Sequence, residues 1–102
     1  MARRIVWSEA ATEDLEAIAN RIAQDSPSNA SKVVKKILAA TDDLNRFPHL
    51  GVVIPEANNP AIRQRVVFHY RLIYRVETDA IVILAIIHSR RRTRDRTHPD
   101  DQ

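Results

Sequence analysis

At 102 residues, 44% of them hydrophobic and none of them cysteine, the chain is long enough for one domain with one core, and it excludes a disulfide framework or a thiolate metal site. The formal net charge is only +3, and the longest apolar run, Ala80–Ile87, is far too short to span a membrane. Residues 1–9 have too short an apolar run for a signal peptide, so we expect a cytoplasmic protein without membrane contact.

The positive charge is concentrated in the second half of the chain. Between Ser8 and Ser26 there are five acids and one arginine, whereas residues 60–96 carry nine arginines and three acids. A guanidinium group forms a planar fork that pairs with carboxylates and phosphates. The second half therefore predicts a surface for an acidic or phosphate-rich partner, with a merely solvated basic surface as the alternative.

The first half predicts a strand followed by two helices. A short β-prone piece, Arg3–Trp7, precedes Ser8, which has the properties of an N-cap, and apolar residues then recur at helical spacing to about Asp25. Ser26-Pro27 signals a second helix start, and this helix ends near Arg46. Because almost nothing separates the two helices, they are predicted to form an antiparallel hairpin.

The second half predicts a turn, an irregular segment and three strands. Gly51, the only glycine, follows Pro48 and is expected to supply a positive φ. Residues 52–60 contain several breakers and are predicted to be irregular. The strand candidates are Ile62–Phe68, Tyr70–Glu77 and Ala80–His88, and the polar residues 93–102 are predicted to fray.

Strand alternation predicts which side chains share a sheet face. Arg63 and Arg65 alternate with apolar residues in one strand, and Arg71 and Arg75 do so in the next. If the helical hairpin covers the apolar face, all four arginines gather on the opposite, exposed face. Ala80–Ile87 is apolar on both faces, which predicts a central strand.

This ordered set of features resembles the ParE/RelE superfamily of toxins from type II toxin–antitoxin systems. The resemblance covers residues 1–92 and implies an α+β fold of order β-α-α-β-β-β, with the helical hairpin on one face of a mainly antiparallel four-stranded sheet. It is carried by Trp7-Ser8 with Ala11 and Leu15, the Pro48-x-x-Gly51 turn, the Tyr70–Val76 strand and the terminal Ile-Ile-His88.

The resemblance implies a toxin that a cognate antitoxin neutralises. The long, nearly abutting helices, the Pro48-x-x-Gly51 turn and the ending His88-Ser-Arg-Arg-Arg favour the ParE-like branch, whose members inhibit DNA gyrase. The alternative is a RelE/YoeB-like endonuclease, which cleaves mRNA on the ribosome. A second alternative, outside the superfamily, is a non-catalytic nucleic-acid-binding module that contacts phosphates through the arginines.

The nuclease alternative has its own candidate residues. Matching the YoeB-like pattern implies Glu56 or His88 as general base, Arg71 as the stabiliser of the developing charge, and His88 as acid. Ser89 stands where that subfamily has a terminal tyrosine, and the RelE lysine pair is absent from residues 52–63. Whether the protein is an enzyme is therefore left open. As the alternatives to catalysis, His88 caps the end of its strand and Glu56 is an ordinary solvent-exposed acid of the loop.

The arginines are the candidate residues for binding the target or the antitoxin. No cofactor is expected, and the histidines lack the spacing of metal ligands. The predicted binding residues are Arg63, Arg65, Arg71, Arg75, Arg90, Arg91 and Arg92.

Overall fold

The computed structural model describes residues 3–89, in which two helices and five strands form an α+β fold. The elements, in chain order, are β1 (Arg4–Trp7), α1 (Glu9–Asp25), α2 (Pro27–Arg46), β2 (Val52–Val53), the 3₁₀ turn η1 (Pro55–Ala57), β3 (Ile62–Val67), β4 (Tyr70–Val76) and β5 (Ala80–His88). The predictions for residues 93–102 and for Arg90, Arg91 and Arg92 lie outside the described residues.

The α+β class is confirmed, but the predicted strand number was wrong. The sheet has five strands because Val52–Val53 pairs with β3 inside the segment predicted to be irregular. Two residues are too few to produce an alternation of apolar and polar side chains, so the sequence carries no signal for this strand.

Both helices begin at the predicted caps. The Ser8 hydroxyl accepts a hydrogen bond from the Ala11 N–H at 3.0 Å, and the Ser26 hydroxyl accepts one from the Asn29 N–H at 3.2 Å. Pro27 follows Ser26 directly, at a position where the missing N–H costs no helical hydrogen bond. Neither helix of residues 3–89 combines the length and apolarity needed to cross a bilayer.

The sheet has the strand order β1-β5-β4-β3-β2. β1 runs parallel to β5, because the helical hairpin returns the chain to the same end of the sheet, and the other neighbours are antiparallel. β5 therefore lies between β1 and β4, as its two apolar faces predicted.

The two faces of the sheet carry cores of different size. On the helix-side face, Leu72, Tyr74 and Ile83 are almost completely buried against α1 and α2. On the opposite face, which we call the open face, a smaller cluster is centred on Ile73 and Ile87. Residues 54–57 pack over part of this smaller cluster, so the open face is only partly exposed.

The expectation that four arginines share one face was wrong. Arg63 lies opposite Tyr74 and Arg65 opposite Leu72, so both arginines project to the helix-side face. Arg71 and Arg75 lie opposite Val66 and Ile62 on the open face. The two-residue loop 68–69 fixes this register. As a result, Ile62 and Val66 of β3 face away from the helices.

The expectation of a positive φ at Gly51 was also wrong. No described glycine has a positive φ. A Cβ at Gly51 would instead lie 2.5 Å from the Gln64 carbonyl oxygen and 2.6 Å from the Tyr74 hydroxyl. Glycine is required here because the loop passes directly against β3 and β4, not because of its own backbone conformation.

Candidate functional site

The open face presents two arginines of β4, as strand alternation predicted. The Arg71 Nη1 donates to Gln64 Oε1 at 3.1 Å. The Arg75 Nε and Nη2 each lie 2.8 Å from Glu77 Oε2. Both arginines remain partly exposed, so their guanidinium groups are held by side chains yet accessible to a partner.

The two arginines of β3 are held by the protein itself. Arg63 Nη1 donates to the Gly51 carbonyl oxygen at 2.7 Å. Arg65 Nη1 donates to the Ala40 carbonyl oxygen and to Asp43 Oδ2, each at 3.2 Å. These contacts attach the loop after α2, and α2 itself, to the sheet.

Tyr74 fixes the same loop from beneath. Its hydroxyl accepts from the Gly51 N–H at 2.8 Å and donates to the Pro48 carbonyl oxygen at 2.9 Å. Burial raises the pKa of Tyr74 above its ordinary value of about 10, and the Gly51 N–H and the Arg63 and Arg65 charges offset only part of that rise. The turn that leads into β2 and η1 is thus anchored to the core.

A cleft of about 390 Å³ lies between α1 and the end of β5. His88 lines this cleft and packs edge-to-face on Tyr70, with ring centroids 5.7 Å apart. The His69 ring stacks on the His88 ring, with centroids 6.3 Å apart. Asp14 Oδ2 accepts the Ile86 N–H at 2.9 Å, and Arg21 completes the charged lining. In such a cleft the imidazole can transfer protons and the guanidinium can bind an anion.

Sequence reasoning missed Asp14 and Arg21 as cleft residues. Both belong to the polar surface of α1, and nothing in their spacing distinguishes them from solvated residues. Only the packing of α1 beside the end of β5 places them next to His88.

The predicted nuclease residues are divided between the two faces. Glu56 is exposed in η1, whose Ala57 packs on the open-face cluster, and Arg71 projects from that face. His88 lies opposite Tyr70 and therefore projects to the helix-side face. The structure brings Glu56 and Arg71 to one face and His88 to the other, and their catalytic role remains a prediction.

Within residues 3–89, no cluster of three or more histidine, aspartate or glutamate side chains has an arrangement that could hold a metal ion. The charged and titratable side chains described above include arginines, His69 and His88, and the carboxylates of Asp14 and Glu77. Such groups recognise charge and transfer protons.

The sequence matches a family model described as the ParE toxin of the type II toxin–antitoxin system, parDE, over residues 5–93. The chain belongs to the ParE toxin family. The match begins at the second residue of β1 and extends beyond β5, so it includes all the other helices and strands that the structure describes in this ParE-family toxin. A comparison with curated proteins gave no match.

Solved structures show the same fold. The chromosomal ParDE toxin–antitoxin system of P. aeruginosa contains a chain that superposes with a TM-score of 0.70 at 24% identity, covering 85% of this chain and 96% of that one. For the RelBE2 toxin–antitoxin complex of Mycobacterium tuberculosis the TM-score is 0.65 at 21% identity, with coverages of 86% and 99%. For the YoeB dimer of Staphylococcus aureus the TM-score is 0.61 at 22% identity, covering 86% of this chain and 98% of that one.

Proposed function

We propose that this toxin inhibits DNA gyrase and is held inactive by a cognate antitoxin. The observation that carries the proposal is the match of residues 5–93 to the ParE family model. The fold also superposes on a chain of a ParDE toxin–antitoxin system. Gyrase inhibition needs no catalytic residue set on the toxin, which agrees with the divided placement of Glu56, Arg71 and His88.

The endonuclease alternative has weaker geometric support. General acid–base catalysis requires its groups within hydrogen-bond reach of the same reacting atoms. His88 lies in the helix-side cleft, whereas Arg71 projects from the open face. The likeness to RelBE2 and YoeB is a likeness of fold, and it leaves the target of this toxin undecided between gyrase and the ribosome.

The proposed antitoxin contact is the open face. Arg71 and Arg75 project there, and exposed Val52 lies on the same face, so an amphipathic acidic segment would meet both charge and apolar surface. Arg63 and Arg65 already donate to acceptors within the protein. We assign the antitoxin contact to Arg71 and Arg75 because they project from the open face, and we assign the anchoring of α2 and its loop to Arg63 and Arg65.

The target is tested with the toxin purified as its antitoxin complex and then separated from the antitoxin. We expect the toxin to inhibit supercoiling by gyrase and to leave mRNA intact during translation, measured by primer extension. His88→Ala should not change either result, and His49→Ala, in the exposed turn after α2, is the matched control. Codon-specific mRNA cleavage that His88→Ala abolishes would instead establish the endonuclease.

The antitoxin contact is tested by the affinity of the separated components. The double variant Arg71→Gln/Arg75→Gln should weaken antitoxin binding at least about tenfold, because charge pairs across an interface are lost. Arg46→Gln, an exposed change at the end of α2, is the control and should bind normally. Unchanged affinity in the double variant would place the antitoxin elsewhere.

A further inference from the structure

The tip of the β3–β4 hairpin carries a strained aromatic residue. Phe68 and His69 form the two-residue loop, and Phe68 has a φ of 56°. In such loops a positive φ at the first position favours glycine, since any larger side chain meets the backbone. A bulky residue held in this conformation is uncommon, and retained strain of this kind concentrates at functional positions.

The Phe68 side chain is exposed but is held by a contact with α2. Half of its surface is accessible, yet the Lys36 Nζ of α2 lies 5.2 Å from the ring centroid. This cation–π contact fixes one face of the ring and leaves the rest to solvent. The ring is therefore oriented in advance, which reduces the entropy that binding would otherwise cost.

Phe68 forms one end of a groove of about 330 Å³ between α2 and β3. The ion pair of Arg65 with Asp43 crosses this groove and neutralises both charges. Lys36 remains beside the ring, and Lys32, one helical turn earlier, is exposed on the same side of α2. The charge around the aromatic tip is consequently positive.

Apolar surface continues from the tip along β3. Val66 is 60% exposed. β2 pairs only with Arg63 and Gln64, so residues 65–67 have no strand neighbour on their outer side among residues 3–89. Val66 and Phe68 both line this groove with Lys36, so the exposed apolar surface of the edge strand adjoins the aromatic tip.

We propose that Phe68, Val66 and Lys36 form the surface that docks on the toxin's target protein. Phe68 enters an apolar pocket of the partner, and acidic side chains at the rim of that pocket meet Lys36 and Lys32. Buried aromatic anchors surrounded by polar groups dominate the energy of protein interfaces. This inference rests on the proposed function in one respect, namely that the toxin acts on a protein.

The exposed Val66 favours a protein over a single-stranded nucleic acid. A nucleic acid would stack on Phe68 and pair with the lysines, but it would gain little from Val66. Phe47 offers the comparison: it is 56% exposed and lies 5.5 Å from the Arg46 guanidinium, yet its φ is −132°. Exposure and a nearby cation are thus common to both rings, and only Phe68 adds the strain and the adjoining apolar strand.

The test is Phe68→Gly, with Phe47→Ala as the matched control. Glycine suits the loop, so the variant should fold with an unchanged or higher Tm. We expect it to lose growth arrest, and its inhibition of gyrase should need at least about tenfold more toxin, whereas its affinity for the antitoxin should stay within about twofold. Lys36→Glu should also raise the amount of toxin needed to inhibit gyrase. Lys35→Glu, on another side of α2, should leave that amount unchanged.

Full inhibition by Phe68→Gly would overturn the inference. So would a loss of antitoxin affinity with inhibition intact, because the surface would then belong to the antitoxin. Single-stranded DNA or RNA binding that Phe68→Gly abolishes while inhibition persists would also overturn it. If the wild-type toxin arrests growth without affecting supercoiling, the gyrase proposal fails, and growth arrest by Phe68→Gly still decides the role of Phe68.

Discussion

The two faces of this sheet carry the same kinds of residues and use them differently. On the helix-side face, the polar groups of Arg63, Arg65 and Tyr74 bond to main-chain atoms of the loop after α2 and to α2 itself. On the open face, Arg71 donates to the Gln64 side chain and Arg75 to the Glu77 side chain. The difference teaches that facing, and not residue type, separates the arginines that anchor α2 and its loop from those that project from the open face.

This comparison predicts that helix-side substitutions lower stability and open-face substitutions alter binding. A main-chain acceptor inside the protein cannot turn to solvent when its donor is removed, so the loss appears in the free energy of unfolding. A side-chain acceptor at the surface can return to water at little cost. The following substitutions test this distinction, starting with the largest expected effect.

Gly51→Ala should give the largest effect. The added methyl group would lie 2.5 Å from a backbone oxygen of β3, so strands or loop must move. We expect a loss of about 3 kcal/mol in the free energy of unfolding, as for overpacked sites. Chemical denaturation measures it, and Leu50→Ala, at the exposed neighbouring position, is the control. Equal stability of the two variants would show that the loop is not pressed against the sheet.

Tyr74→Phe should give an intermediate effect. It removes the acceptor of the Gly51 N–H and leaves that buried donor unpaired, at a cost of about 2 kcal/mol. A pH series adds an independent measurement. Because the pKa of Tyr74 is raised in the folded state, the unfolded chain ionises first, and stability falls as pH rises above about 10.

The alkaline loss should be smaller in Tyr74→Phe than in the wild type, since the variant has no hydroxyl at this position to ionise. An identical slope in the wild type and Tyr74→Phe would mean that Tyr74 does not contribute to the alkaline loss.

The smallest effects should come from comparing one arginine of each face. Arg65→Ala removes a partly buried bond to the Ala40 carbonyl and to Asp43, and we expect a loss of about 1 kcal/mol. Arg75→Ala breaks a pair whose members are each more than a third exposed, and we expect less than about 0.5 kcal/mol. Thermal denaturation measures the stability loss of both variants. A larger loss in Arg75→Ala than in Arg65→Ala would refute the division between the two faces.

Local signals in the sequence account for much of the fold. Ser8 and the pair Ser26-Pro27 predict the starts of the two helices, and the apolar run of β5 predicts a central strand. The arginine placement could not be predicted in the same way, because the alternation in β3 is compatible with either face. A single two-residue loop at Phe68 decides the register, and its positive φ carries no sequence signal at a phenylalanine.

The sequence by itself determined the helical hairpin, four of the five strands and the resemblance to the toxin family, because caps, periodicity and turn residues act over a few positions. The tertiary structure decided which arginines project from the open face, why Gly51 is glycine, and that Asp14 lines one cleft with His88. These features depend on contacts between residues far apart in the chain, and only the packed sheet and helices bring them together.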